Sequence, residues 1–454
     1  MIQQVLFAIV TILAFSFSWR KFMTIRRNIL LGQDEDLTDQ EGKRWKNVLL
    51  IAFGQKKMFK RVIPAVLHGF IYVAFLFTQI ELLEIFIDGF FGVHRFFAPY
   101  IGILYPIIIS TIELLSVGAF VATLAFLYRR NLLKLPRFHM DEMTGWPKID
   151  GNLILVGELL LLIGIFTMNG ADVVLQKLDP AHYPDTGTFA ISSFMGPLLL
   201  SNVNEGILIM MERFGWWLHI MTVFAFLNYL AYSKHLHIML AFPNTFYSRL
   251  TPKGEMNNMP AIMDEVKSMM GLTEDDGSGA AMEEELPTFG ANDIFSLSWK
   301  NILESYTCTE CGRCSSVCPA NITGKKLSPR KIMMDIRDRA EEVGEKLDSG
   351  STKYIKEELR ATETVLTKDN FDDGKSLFDY ISREEIHACT SCNACVEACP
   401  ILISPMEPIL EMRRYEILTE SGGPKDWVPM FTAIENGGAV WQLADDRDAW
   451  AKED

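Results

Sequence analysis

Along the first 240 residues, apolar runs of 18 to 27 positions alternate with short polar stretches, whereas over the last 200 the apolar positions are interleaved with charges at helical spacing. Crossing a bilayer takes about 20 mostly apolar residues in a helix. Five runs meet that length, near residues 2–19, 62–87, 102–128, 152–170 and 214–239. A sixth, Ala190–Met211, is broken by Gly196-Pro197 and by Ser201-Asn202-Val203-Asn204-Glu205. It reads as an amphipathic segment lying on the outer surface rather than a span. Beyond Asp293 the signals are those of helices. Ser328-Pro329 opens a helix running to about Lys346, Ser382 and Glu385 form a capping-box pair, and Pro405–Leu418 is stopped by Gly422-Gly423. No run alternates as a strand does. The expected fold is mainly α: a five-span transmembrane bundle followed by a soluble helical domain.

Charge orients the bundle. Residues 20–61 hold eleven Lys and Arg and residues 129–148 hold five, but 88–101 has only Arg95 and 169–212 only Lys177. Positive loops stay in the cytoplasm, so the N-terminus is expected outside and everything after residue 240 inside. The first run lacks a basic lead and a small-residue cleavage pattern, and Arg20, Lys21, Arg26 and Arg27 follow it, so it is a retained span and not a signal peptide. The expected location is a bacterial or archaeal cytoplasmic membrane, multi-pass. With a formal charge of −14 and no basic face, the chain is no partner for nucleic acid. Residues 250–290, rich in Gly, Ser and acids such as Glu274-Asp275-Asp276 and Glu283-Glu284-Glu285, read as a mobile tether, with a short helix within 260–270. The domains expected are therefore 1–245 membrane, 246–291 linker, 292–422 soluble, and 423–454 a tail suited to docking a partner.

All eight cysteines fall in two copies of one pattern, C-x2-C-x2-C-x3-C-P: Cys308, Cys311, Cys314 and Cys318 before Pro319, then Cys389, Cys392, Cys395 and Cys399 before Pro400. In this spacing three close thiolates cap one 4Fe–4S cube and the fourth cysteine serves the cube of the other run. Cys308, Cys311, Cys314 and Cys399 are thus assigned to one cluster, and Cys389, Cys392, Cys395 and Cys318 to the second. Zinc uses two C-x2-C pairs per ion and leaves the third and fourth cysteines and the proline unexplained. Disulfides do not suit a reducing compartment.

Histidines inside the spans are costly and point to function. His68 lies near the cytoplasmic end of the second span. The fifth carries His219, His235 and His237, and the eighteen residues between His219 and His237 are a whole number of turns, placing both on one face about 27 Å apart. His68 and His237, at similar depth on different helices, are assigned as the axial pair of a haem b, with His235 as the alternative to His237. His219 has no histidine opposite it in the second span, only Thr78 and Glu81. It stands as a second haem ligand, a quinone-binding group with Glu81, or a packing residue. Glu84, Glu113 and Glu158 are further intramembrane acids that either relay protons or sit neutral and hydrogen-bonded.

No dinucleotide fingerprint, P-loop or nucleophile elbow is present, and every cysteine has a cluster to serve. The chain therefore reads as wiring, with the substrate-handling centre expected on another subunit. The rivals are a redox-sensing or anchoring subunit and a transporter carrying a redox domain; the spans lack the paired, broken halves of a transporter.

On these residues the membrane half resembles the nitrate reductase gamma-subunit domain, with five spans and haem histidines on the second and fifth. That family has two histidines on the second span where this chain has His68 alone. The soluble half resembles the helical ferredoxin domain of heterodisulfide reductase-like proteins, through Cys308-Thr-Glu-Cys-Gly-Arg-Cys314, Thr323-Gly324-Lys325, Leu327-Ser328-Pro329 and Met412-Arg413-Arg414. Together they resemble the N-terminal portion of membrane-bound iron–sulfur oxidoreductases that link electron-transferring flavoprotein to quinone. Those relatives often continue into CCG domains, which are absent after Trp441, Arg447 and Trp450. The resemblance implies that a separate CCG-type iron–sulfur subunit, served by the flavoprotein, supplies that centre.

Overall fold

The computed structural model describes residues 1–252, 254–272, 289–440 and 449–451. The acidic runs of the linker, with Trp441 and Arg447, lie outside the described residues. Among the described residues, five helices are long and apolar enough to cross a membrane: α1 (Ile2–Ile29), α2 (Val62–Phe91), α3 (Leu104–Asn131), α4 (Trp146–Leu178), and a fifth that begins at Glu205. Their outward positions, such as Val5, Ile9, Ile12 and Phe15 of α1, are apolar and exposed, as a lipid-facing surface requires. Between α4 and the fifth span, the segment read as amphipathic splits. Ser192–Leu200 forms a short helix (α5), and Asn204 caps the fifth span, its side chain accepting from Gly206 N.

The fifth span departs from expectation. Helix α6 (Glu205–Tyr229) ends, a 3-10 turn follows to Tyr232, Ser233 is extended, and a new helix, α7, covers His237–Phe246. Asp150, in the second turn of α4, is the pin. Its Oδ1 accepts from Tyr229 Oη and Ser233 Oγ at 2.6 Å each, and its Oδ2 from Lys234 N at 3.1 Å. His219 and His237 therefore do not share one face of one helix. Because α6 starts at Glu205, His219 also lies in mid-bundle rather than near the outer end. Close to it the backbones of α4 and α6 almost touch: a Cβ on Gly215 would lie 2.6 Å from Met168 N, the small-residue crossing that membrane helices use.

The soluble domain has no strand among the described residues. After α8 (Pro260–Met269) come α9 (Trp299–Thr307), α10 (Pro329–Ser349), α11 (Met406–Arg414) and α12 (Trp427–Gly437), joined by short helical turns. Helix α10 buries Ile332, Ile336, Ala340 and Val343, a stripe at helical spacing, and ends on Gly350 in the left-handed conformation. The capping box of Ser382 and Glu385 is formed. Ser328 does not cap α10 with its side chain; its hydroxyl donates to Glu142 Oε1 at 2.6 Å instead.

That bond belongs to a broad junction. Ile25, Ile29 and Leu31, at and just past the end of α1, share one apolar core with Ile302, Ile332 and Ile336 of the soluble domain. Gln33 N donates to Leu297 O, and Trp299 N to Gln33 O. Asn28 Nδ2 donates to Tyr306 Oη at 3.0 Å, Arg27 pairs with Asp348, and Arg330 with Glu142 at 2.7 Å. A tether alone was expected to keep the two parts together. The basic loops in fact hold the domain directly, several of their cations meeting its acids.

Within the domain, fully buried Arg339 bridges Asp293 at 2.6 Å and Asp373 at 2.7 Å. Burial opposes ionisation of Asp373, but hydrogen bonds from Arg339 and Lys346 outweigh it and hold its carboxyl well below the usual range. A depressed acid stabilises the fold above its ordinary pKa of about 3.9 and loses that contribution as pH falls toward its own value, so stability from this group is flat at neutral pH and drains below about pH 4. Arg339→Met leaves Asp293 without its cation and Asp373 with Lys346 alone, and a broken buried pair costs about 3–5 kcal/mol. The temperature at which the protein's visible absorbance collapses should fall clearly; an unchanged transition would contradict this role.

Candidate functional site

Two cysteine loops face each other at the base of the soluble domain, beside the bundle. Each turns by the same device. Glu310 and Gly312 in the first, Ser391 and Asn393 in the second, all have positive φ between 52° and 68°. These are the positions two and four after the first cysteine of each run, so the loop curls twice and turns its thiols inward. Glycine and asparagine tolerate that conformation best, and Gly312 and Asn393 occupy equivalent places. Backbone N–H groups approach the sulfurs: Ser391 N to Cys389 Sγ at 3.4 Å and Ile403 N to Cys399 Sγ at 3.3 Å. Such bonds tune a cluster's potential.

The thiols fall into two electrostatic groups. Cys308 feels the charges of Cys311 and Cys399, and Cys314 those of Cys308, Cys311 and Cys399, with a smaller contribution from Cys395. Cys318 feels Cys389 and Cys392, and Cys395 feels Cys389, Cys318 and Cys392. None is in a disulfide. Burial first, then mutual repulsion, pushes Cys308 and Cys395 up to about 12 and Cys399 to about 11. Thiols so placed ionise only against a cationic centre, and this donor set fits iron. Cys392 alone of the eight is exposed.

The first loop reaches the histidine segment. Glu310, between Cys308 and Cys311, pairs with Lys234 and, at 2.8 Å, with Arg337. Lys234 directly precedes His235, and its carbonyl accepts from His237 Nδ1 at 3.0 Å. His68 Nδ1 meets Gln55 Oε1 at 3.1 Å. His68, His235 and His237 are electrostatic neighbours, with the rings of His235 and His237 5.9 Å apart. In both His68 and His237 the Nδ1 proton is engaged and Nε2 is left free, the arrangement that orients an imidazole toward iron. His235 Nδ1 is buried without a partner.

His219 stands apart. Its Nδ1 meets Leu161 O at 3.1 Å, and no hydrogen bond or ion pair joins it to Glu81. Counted from the inner helix ends, His219 is about 15 Å deep and Glu81 about 28 Å.

The intramembrane acids separate by their partners. Glu84 accepts from Phe97 N at 2.8 Å and Tyr105 Oη at 2.7 Å; Glu113 accepts from Ile191 N at 2.7 Å and Ser192 N at 3.1 Å, at the start of α5. These two are structural. Glu158 accepts from Thr123 Oγ1 at 2.9 Å. Glu81 is buried with both oxygens lacking a hydrogen bond, its nearest cation being Arg95 at 3.7 Å. The sequence reading used Arg95 only as a topology marker and passed over Asp172. In the fold Arg95 is buried, donating to Asn169 Oδ1 at 2.6 Å and paired with Asp172, which also holds His94 at 2.9 Å. His94 opens onto a cleft of about 870 Å3 at the end of the bundle away from the cysteines, walled by Trp216 and Trp217. A lone arginine between acid-bearing spans was the available signal.

Residues 307–403 match the 4Fe-4S dicluster domain family. The chain is 27% identical over 443 residues to a probable iron-sulfur-binding oxidoreductase, FadF, of Bacillus subtilis, covering 94% of this chain and 57% of that protein. It is 24% identical over 411 residues to an EtfAB:quinone oxidoreductase of Syntrophomonas wolfei, covering 89% and 53%. This chain is similar to iron–sulfur oxidoreductases. A probable membrane-anchored ferredoxin of Chromohalobacter salexigens is 32% identical over 130 residues, covering 28% of this chain and 18% of that protein. The chain spans little more than half the length of the first two relatives. No solved structure matches it. The dicluster match encloses all eight cysteines, so an electron-transfer role rests on both the loops and the relatives.

Proposed function

We propose that the chain is the membrane-bound electron-transfer subunit between a cytoplasmic redox partner and the membrane quinone pool. Two 4Fe–4S clusters and one haem b, when bound, supply successive one-electron steps. Cys308, Cys311, Cys314 and Cys399 hold one cluster, and Cys389, Cys392, Cys395 and Cys318 the other; His68 and His237 hold the haem. The observation that carries this reading is the bridge from the first cysteine loop through Glu310 and Lys234 to His237. It ties the loop around one cluster to the histidine segment with no mobile element between. Asp150 fixes that segment by holding Ser233 and Lys234, and Gln55 fixes His68.

The exposed Cys392 marks the face toward the donor, proposed to be a CCG-type iron–sulfur subunit, an electron-transferring flavoprotein, or both. The printed name of the Syntrophomonas relative supports the flavoprotein and the quinone. His219, with a free Nε2, and Glu81, with bare oxygens, are alternative partners for the quinone headgroup, since they lie at different depths. The basic loops at the docked end support the cytoplasmic placement.

Redox titration of gently solubilised protein with a quinol analogue tests the reading. Fast reduction of haem and clusters, with co-purification of a cysteine-rich partner, is expected. Absence of any exchange would favour a redox-sensing or anchoring subunit.

A further inference from the structure

Between the first turn of α2, the last turn of α3 and the loop after α3 lies a cleft of about 580 Å3, at the end of the bundle that meets the soluble domain. Arg61, Arg129 and Arg137 line it. Several cations at this end have carboxylate partners, Lys60 with Glu397, Lys234 with Glu310 and Arg330 with Glu142, and Arg130 and Arg313 bond backbone carbonyls. Arg61, Arg129 and Arg137 have no carboxylate partner among the described residues. Arg61 donates to Ser316 Oγ at 2.8 Å. Arg137 lies over the Phe138 ring at 4.8 Å, and its Nε is buried without a partner. Arg129 makes no hydrogen bond or ion pair among the described residues. Like charges held together are unfavourable, and a cleft lined by three guanidiniums without a carboxylate, open on the side of Val62 and Ile63, is suited to an anion from outside the chain.

The cleft's other wall says which anion. Val62 and Ile63, each 65% exposed, begin the lipid-facing surface of α2, and both line the cleft with Leu135. A ligand here has a negative head at the membrane–water boundary and apolar tails running along a span. We propose that the cleft holds the headgroup of one anionic phospholipid, its phosphate against Arg61, Arg129 and Arg137 and its acyl chains along Val62 and Ile63. Basic pockets between membrane helices on the cytoplasmic side recognise such headgroups. A neutral quinone ring leaves the three guanidiniums uncompensated. Ser316, which shares the cleft, lies two residues past Cys314, so the lipid clamps the first cysteine loop to the bilayer surface.

The test is native mass spectrometry of the purified full chain in detergent, titrated with phosphatidylglycerol, phosphatidylcholine or inorganic phosphate. One phosphatidylglycerol should be retained per chain. Each arginine near a membrane surface is worth about fivefold in affinity, so Arg129→Gln should weaken retention roughly fivefold and the double variant with Arg137→Gln roughly thirtyfold. Iron content and visible absorbance report folding, and Arg129→Gln, which breaks no bond in the fold, keeps the test valid if the double variant is lost. Equal retention of phosphatidylcholine, retention indifferent to Arg129→Gln, or inorganic phosphate binding as tightly as the lipid would each overturn the proposal. Lipid retention depends on neither haem nor quinone.

Discussion

A His68→Ala variant is expected to purify with its iron–sulfur content intact but without the reduced α-band of a b-type haem, and its quinone reduction should fall to background. The loss is complete rather than graded because a low-spin bis-imidazole centre needs both ligands. His68 is oriented by Gln55 and His237 by the Lys234 carbonyl, which leaves one ring nitrogen of each for the metal. His237→Ala should give the same spectrum. Gln55→Leu leaves the ligand but frees its ring, and outer-shell losses of this kind cost about 10–100-fold in affinity. His235, adjacent and with an unpartnered Nδ1, supplies the control. If the band disappears in His235→Ala and persists in His237→Ala, the two exchange roles. If it survives in both His68→Ala and His237→Ala, the haem assignment is wrong.

What was legible in the sequence was whatever depends on near neighbours. The cysteine spacing is local, and so are the five apolar runs, the Ser382–Glu385 box and the Gly350 stop of α10. What was not legible depends on distant ones. Periodicity carried the fifth span straight through His237, because the residue that breaks it, Asp150, is 83 positions from Ser233. The intramembrane acids were equivalent on paper. Glu84 and Glu113 are satisfied by backbone N–H groups of residues 97, 191 and 192, and only the fold separates them from Glu81. The basic loops were read correctly as charged and incompletely as free. Arg27 and Lys21 meet Asp348 and Glu341 of α10, over three hundred residues later, so one set of cations marks membrane orientation and also holds the electron-carrying domain. Ser328, a sound cap by sequence, gives its hydroxyl to Glu142 because the junction lies there.

The crossed assignment of the fourth cysteines yields the most discriminating expectation. Cys318 belongs by sequence to the first run, yet the thiols acting on it are Cys389 and Cys392 of the second. Cys318→Ser should therefore disturb the cluster held by the second run and leave that of Cys308, Cys311 and Cys314 in place. Intact protein should contain about eight non-haem iron and eight acid-labile sulfide per chain, two cubes of four. The variant should fall toward half, and its reduced EPR spectrum should simplify as the magnetic interaction between two neighbouring centres is lost. Cys399→Ser should remove the other cube by the same logic, leaving a different residual signal. Because Glu310 ties the first loop to Lys234, the cluster that survives in Cys318→Ser is the one nearest the histidines and should still exchange electrons with a quinol analogue. The one left in Cys399→Ser should not. Loss of quinol exchange in Cys318→Ser with exchange retained in Cys399→Ser would refute the crossing, and stoichiometric zinc with little sulfide in the parent protein would refute the clusters themselves.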